Sequence, residues 1–287
     1  MEEQGWQKSV ESIVFQDTLD GAPDDAEDLS EEKNRSVLGW NNGSALYLAG
    51  EGGVKAPDDC GGLFRVNDAP ASADTSGWLR WQRLTQIQNL QLLDTSKVVD
   101  MSGMFLGCES LTSLDLSGFD TSRVSDMSNL FTYCENLTSL DLSGFDTSQV
   151  TNMKGMFSCC ENLTSLDVSS FDTSQVTDMT SMFYCCESLT SLDVSSFDTS
   201  QVTDMRYMFR GCYSLTSLNT SGFDTSRVTD MEGMFANCRS LTSLDVSGFD
   251  TSQVEEKDDS NFAVGKTQQN HEFRFKNKKA QTLKKVL

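Results

Sequence analysis

Apolar positions along the middle of the chain change period within each short stretch. Leu137, Leu140, Leu142 and Phe145 read L-x-x-L-x-L-x-x-F, and Leu140 and Leu142 alternate with Ser139, Asp141 and Ser143. Alternation at a period of two predicts a short strand with one buried face. Just upstream, Val124, Met127, Phe131 and Cys134 fall at i, i+3, i+7 and i+10, the spacing of one helix face. Asp120, Thr121 and Ser122 precede that stretch and are residue types that cap a helix. Asp126 would then lie in the first turn, where the helix dipole favours an acid. Each unit is expected to hold a strand, a turn, a short helix and a return.

The unit recurs. Asp-Thr-Ser begins at Asp94, Asp120, Asp146, Asp172, Asp198, Asp224 and Asp250, each step being 26 residues, and six full copies cover 94–254. A period between about 20 and 50 residues marks a solenoid whose units bury their apolar sides against their neighbours. The expected fold is α/β: a β/α solenoid of 26-residue rungs, with a parallel sheet on one face and short helices on the other. An all-β right-handed solenoid is the alternative, should the Val124–Cys134 segments be extended. Met and Phe columns read as core, since both side chains pack adaptable interiors.

The flanks read as caps. Cys60-Gly61-Gly62-Leu63-Phe64 matches Met101-Ser102-Gly103-Met104-Phe105 in phase, and Leu84, Ile87, Leu90 and Leu93 give an imperfect strand half. With an insertion carrying Trp78 and Trp81 between them, residues 57–93 are expected to form a degenerate first rung. Trp40-Asn41-Asn42-Gly43 followed by Ala45–Leu48 predicts a hairpin over the open end. Four segments result: an acidic 1–36 expected to be largely disordered, a cap and degenerate rung over 37–93, the repeats over 94–254, and a polar, basic tail over 255–287.

Composition narrows the chemistry. Asp and Glu number 43 against 22 Lys and Arg, a net charge of −21 in 287 residues, which argues against nucleic acid as a partner. The basic run from Lys266 to Lys285 reads as a solvated charge run. No apolar run is long enough to span a bilayer. The one histidine, His271, lies in the polar tail, so hydrolytic catalysis that leans on a positioned histidine is not expected. The expectation is a protein that is not an enzyme and needs no cofactor.

The units M-F-x-x-C-x-x-L-T-S-L-D-L-S-x-F-D-T-S-x-V-T-D-M resemble the BspA-type leucine-rich-repeat surface proteins of bacteria, and are similar to the lipoprotein-like repeats of mycoplasmas. The resemblance implies a leucine-rich-repeat-like solenoid, displayed at the cell surface or secreted, that binds extracellular or host protein in the manner of an adhesin. Met1-Glu2-Glu3-Gln4-Gly5-Trp6 is acidic and unlike a secretory signal. A structural spacer or a truncated fragment without a ligand is the alternative function.

Stacking turns each sequence position into a column. The strand face is expected to expose Ser113, Ser139, Ser165, Ser191, Ser217 and Ser243 beside Asp115, Asp141, Asp167, Asp193, Asn219 and Asp245. Like charges about 4.8 Å apart repel by roughly 0.8 kcal/mol per pair in water. That ladder is the candidate binding face for a basic protein surface, or for Ca²⁺ bridging adjacent carboxylates; a solvated, non-binding face is the alternative. The column from Asp120 to Asp250 reads as turn or cap residues. Cys108, Cys134, Cys160, Cys186, Cys212 and Cys238 read as buried thiols, too widely splayed on outer helices for rung-to-rung disulfides. Cys159 and Cys185 each precede a column cysteine and point elsewhere, which makes them the candidate disulfide or exposed thiol pair. Zinc held by Cys159, Cys160, Cys185 and Cys186 is the weaker option, because adjacent cysteines lack the usual spacing.

Overall fold

Residues 10–30, 35–64 and 83–254 and the backbone of 273–275 are described by a computed structural model. Strands β1 (Ser12–Gln16), β2 (Glu27–Asp28), β3 (Val37–Asn41), β4 (Ala45–Gly50) and β6 (Gln86–Gln88) form one sheet in the order β2-β3-β4-β1-β6. The hairpin read from Asn42-Gly43 joins β3 to β4, with Gly43 at φ 106. The acidic segment expected to be disordered contributes β1, which pairs in parallel with both β4 and β6. Phe15 of β1 then sets its ring edge-on against Phe64, 6.4 Å away. β5 (Val54–Lys55) pairs with β7 (Leu93–Asp94), completing the cap.

Cys60–Phe64 stacks in register on the first full repeat: the amides of Cys60, Gly62 and Phe64 donate to the carbonyls of Asp100, Ser102 and Met104. The phase match read from the sequence is thus a spatial one. Trp78 and Trp81 of the intervening insertion lie outside the described residues.

The β/α solenoid requires correction, because the described residues contain no α-helix. Among the described residues a single 3-10 turn occurs, at Leu90–Leu92 in the cap. Where a helix was expected, successive tight turns form instead: Leu130, Thr132 and Cys134 donate to the carbonyls three residues back. The residues between them reach the next rung. Met127, Asn129, Phe131 and Tyr133 donate to Asn152, Lys154, Met156 and Ser158 at 2.7–3.0 Å. Asn129 (φ 56) and Tyr133 (φ 59) are left-handed, and every rung repeats this at the same two positions, from Gly103 and Gly107 to Gly233 and Asn237. A right-handed helix excludes two such residues in so short a span.

The expected strand face is equally irregular. Among the described residues, regular pairing of repeat segments is confined to β8 (Ser191–Leu192) with β9 (Ser217–Leu218), and to β10 (Leu244–Val246) with β11 (Phe273–Phe275) beyond the repeats. The described residues are instead nearly all β and coil with small sheets, nearer to the all-β alternative, and the segments expected to be helical are turns joined by isolated parallel bridges from Asp59 through Asp100 and Asp126 to Asp230.

Packing between rungs explains the repeat. Phe64, Phe105, Phe131, Phe157, Phe183, Phe209 and Phe235 stack face to face, with ring centres 5.4–5.7 Å apart. Met127, Leu137, Val124 and their counterparts fill the space around this ladder and are fully buried. Threonines clip one edge: the buried Thr121 hydroxyl donates to the Asp146 carbonyl at 2.9 Å and accepts its amide at 2.8 Å. The polar residues of each rung thereby satisfy the backbone groups that its turns leave open.

Candidate binding surface

Three aspartate columns shape each rung through the same local bond. Asp120 Oδ1 accepts the Ser122 amide at 3.0 Å, Asp126 Oδ1 the Ser128 amide at 2.7 Å, and Asp141 Oδ1 the Ser143 amide at 3.0 Å. Each is an Asx turn, in which the side chain replaces a backbone acceptor two residues on. The capping role expected of Asp120 is realised here as a turn, since there is no helix to cap.

Asp115, Asp141, Asp167, Asp193, Asn219 and Asp245 are exposed, as are Ser113, Ser139, Ser165, Ser191, Ser217 and Ser243. The ladder exists, but one oxygen of each acid or amide is spent on its own turn. Asp115 takes both the amide and the hydroxyl of Ser117, at 3.1 and 2.6 Å. Asn219 Oδ1 accepts the Ser221 amide at 3.1 Å. These serine hydrogen bonds, hydroxyl first, hold the carboxyls of Asp115, Asp141, Asp167 and Asp193 below their ordinary value. Ca²⁺ bridging finds no ready cage, because no three His, Cys, Asp or Glu side chains converge on a metal position among the described residues.

The same observation separates the cysteines. Cys134, Cys160, Cys186 and Cys212 turn inward, each thiol donating to a phenylalanine carbonyl one rung back at 3.1–3.2 Å. Burial pushes all of these thiols up. The splaying expected of this column is absent, since the rungs beside it keep the 5.4–5.7 Å ring spacing. Complete burial is what isolates these thiols. Cys159 and Cys185 occupy the second left-handed position of their rungs. Among the described residues no three His, Cys, Asp or Glu side chains are grouped to hold a metal, so a zinc site that needs all four sulfurs is not assembled.

A different face carries the variation among rungs. The segment from Leu to the next Asp-Thr is nearly the same in all six, whereas the turns between the Asp126-type residue and the following Leu differ. Four of the five tyrosines lie on these turns, Tyr133, Tyr184, Tyr207 and Tyr213, together with Lys154, Arg206, Arg210 and Arg239. Tyr133 is 49% exposed. Arg210 lies over the Tyr207 ring at 5.1 Å, and Arg239 over Tyr213 at 4.7 Å. Arg206 pairs with Asp204 at 2.6 Å and Asp230 at 3.7 Å, and the Tyr207 hydroxyl donates to Glu232. In an acidic chain these contacts build a pre-ordered aromatic and cationic patch on rungs five and six. Reading only the repeated residues missed it; the signal was the positions that do not repeat. His271 and the basic tail lie outside the residues whose side chains are described.

No helix among the described residues is long and apolar enough to cross a membrane. No curated protein and no solved structure matches the chain. Residues 78–168 and 159–273 match the family described as Mycoplasma protein of unknown function, DUF285. Together the two matches span residues 78–273 of 287, which covers all six full repeats, and the chain belongs to this repeat-containing family.

Proposed function

We propose that this protein is a non-enzymatic binding protein of the BspA-like kind, displayed at a bacterial surface or secreted, which holds an extracellular or host protein through its variable turn face. One observation carries the reading: a rigid stack varies from rung to rung mainly on one exposed face, and that face gathers Tyr and Arg. Tyr and Arg are the residues that most often dominate binding energy between proteins. Their stacking on one another limits the rotamer entropy lost on docking. The Asp ladder offers the same chemistry in nearly every rung and half of it is committed to turns, so it supplies charge and solubility, with specificity on the other face.

The test is saturable binding of the full chain to a panel of extracellular matrix proteins, plasma proteins and whole cells, with and without Ca²⁺, at low salt and at about 1 M salt. Binding to a protein ligand that survives chelation of Ca²⁺ and is only partly weakened by salt is the expected result. Absence of binding across the panel under every condition would favour the spacer.

A further inference from the structure

We infer that Cys159 and Cys185 form a reversible rung-to-rung disulfide, making the third and fourth rungs a thiol-disulfide exchange site. Nothing in this inference depends on the partner proposed above.

The geometry comes from the repeat. Cys159 (φ 57) and Cys185 (φ 53) hold the same left-handed position in consecutive rungs. Their amides make equivalent bonds to the following rung, Cys159 to Tyr184 and Cys185 to Arg210, both at 2.7 Å. Gly211 is next in this column, and a Cβ built on it would lie 3.4 Å from Cys185 Cα and 2.9 Å from Cys185 Sγ. Adding one C–C bond puts neighbouring Cα atoms in the column no more than about 5 Å apart, inside the window that a disulfide requires. The side chain at this position is also directed onto the next rung. No other pair of adjacent rungs carries cysteine here: the column reads Gly107, Tyr133, Cys159, Cys185, Gly211, Asn237.

Access distinguishes Cys185 from the other eight cysteines. Cys185 is the one cysteine with partial exposure, while Cys159 is nearly covered and the rest are buried. A two-step exchange follows, with oxidised glutathione as the oxidant. The Cys185 thiolate attacks one sulfur of the glutathione disulfide, forming a mixed disulfide and expelling one glutathione thiolate. Cys159, as thiolate, then attacks Cys185 Sγ, closing the protein disulfide and expelling the second. Two protein thiols lose two protons and two electrons, and one glutathione disulfide becomes two glutathiones. Desolvation raises the pKa of both thiols, that of Cys159 to about 11, so exchange accelerates as pH rises.

The experiment incubates the native full chain with oxidised glutathione, quenches exchange with acid, removes the glutathione, then unfolds the chain in an alkylating reagent and maps the cysteines by mass. A peptide linking Cys159 to Cys185, with the other seven cysteines alkylated and full reversal by excess reduced glutathione, is expected. Cys159→Ser should stop at glutathione carried on Cys185, and Cys185→Ser should not react. Ser181, at φ 57, shows that serine accepts this backbone conformation, and matching circular dichroism would confirm that both variants fold. Glutathione remaining on Cys185 of the unmodified chain, a bridge to any column cysteine, or no reaction would each overturn the inference.

Discussion

Phe157→Ala tests the packing argument where it is most exposed to failure. The Phe157 ring is fully buried and lies between Phe131 at 5.7 Å and Phe183 at 5.6 Å. Deleting a buried phenylalanine side chain costs about 3–5 kcal/mol, lost transfer energy and residual cavity together. Two stacked neighbours account for ~1–3 kcal/mol of that, at ~0.5–1.5 each. Relaxation is restricted because the rungs on both sides are tied by backbone hydrogen bonds at 2.9 Å, Phe131 to Met156 and Phe157 to Met182. The upper part of the range, about 4 kcal/mol, is therefore expected. Tyr133→Ala, on the exposed face, should cost less than about 0.5 kcal/mol. Urea unfolding followed by far-ultraviolet circular dichroism measures both, with the slope of each transition checking that the same surface is exposed. A loss below about 1 kcal/mol for Phe157→Ala at unchanged slope would refute an enclosed ring ladder.

Three further outcomes follow from the same geometry. Thr121→Val keeps the shape of a buried residue but removes both hydroxyl bonds to Asp146; a loss of about 1–3 kcal/mol is expected in urea unfolding, against almost none for the exposed Thr138→Val. Gly155→Ala introduces a left-handed alanine whose Cβ would meet Asn129 Oδ1 at 2.4 Å, so it should destabilise by about 1–2 kcal/mol, and adding Asn129→Ala should return part of that loss. Acid should destabilise the stack: serine hydrogen bonds hold Asp115, Asp120, Asp141 and Asp146 below the ordinary 3.8, so their contribution is complete above that value and disappears as pH falls through the lower folded-state values. Urea midpoints level near neutrality and falling below about pH 4 are expected; a rise on acidification would mean that repulsion within the acidic columns outweighs the turns.

Much of the core was legible because it depends on period alone. Any stack with a 26-residue step brings Phe105 over Phe131 and Cys60 into the phase of Met101, whatever the backbone does between them. The helix was misread for a physical reason. Val124, Met127, Phe131 and Cys134 recur every three or four residues, and successive tight turns bury residues at that interval just as a helix does. What differs is where the intervening amides go, and Met127 and Asn129 send theirs to the next rung. Glycine at 103, 107, 155, 211 and 233, with Asn129 and Asn237 at the same positions, was the available sign of left-handed backbone. The Asp ladder was found where expected, but its Asx bonds to the serine two residues on were read only for the neighbouring Asp120 column. The aromatic patch stayed hidden because Tyr184, Tyr207 and Tyr213 share no single column. Arg210 and Arg239 come over Tyr207 and Tyr213 only once the turns have folded.

The most direct measurement of which face binds compares two variants of the full chain against the ligand that the panel yields. The first converts the turn face of rung five to the residues of rung six, Tyr207→Gly, Arg210→Ala and Tyr213→Arg, as already carried at Gly233, Ala236 and Arg239. The second changes Asp115, Asp141, Asp167, Asp193 and Asp245 to Asn, the residue that Asn219 already provides in this ladder. Binding weakened at least about tenfold by the first and less than about threefold by the second is the predicted result. The reverse order, with binding lost on neutralising the ladder and kept on changing the turns, would contradict the account.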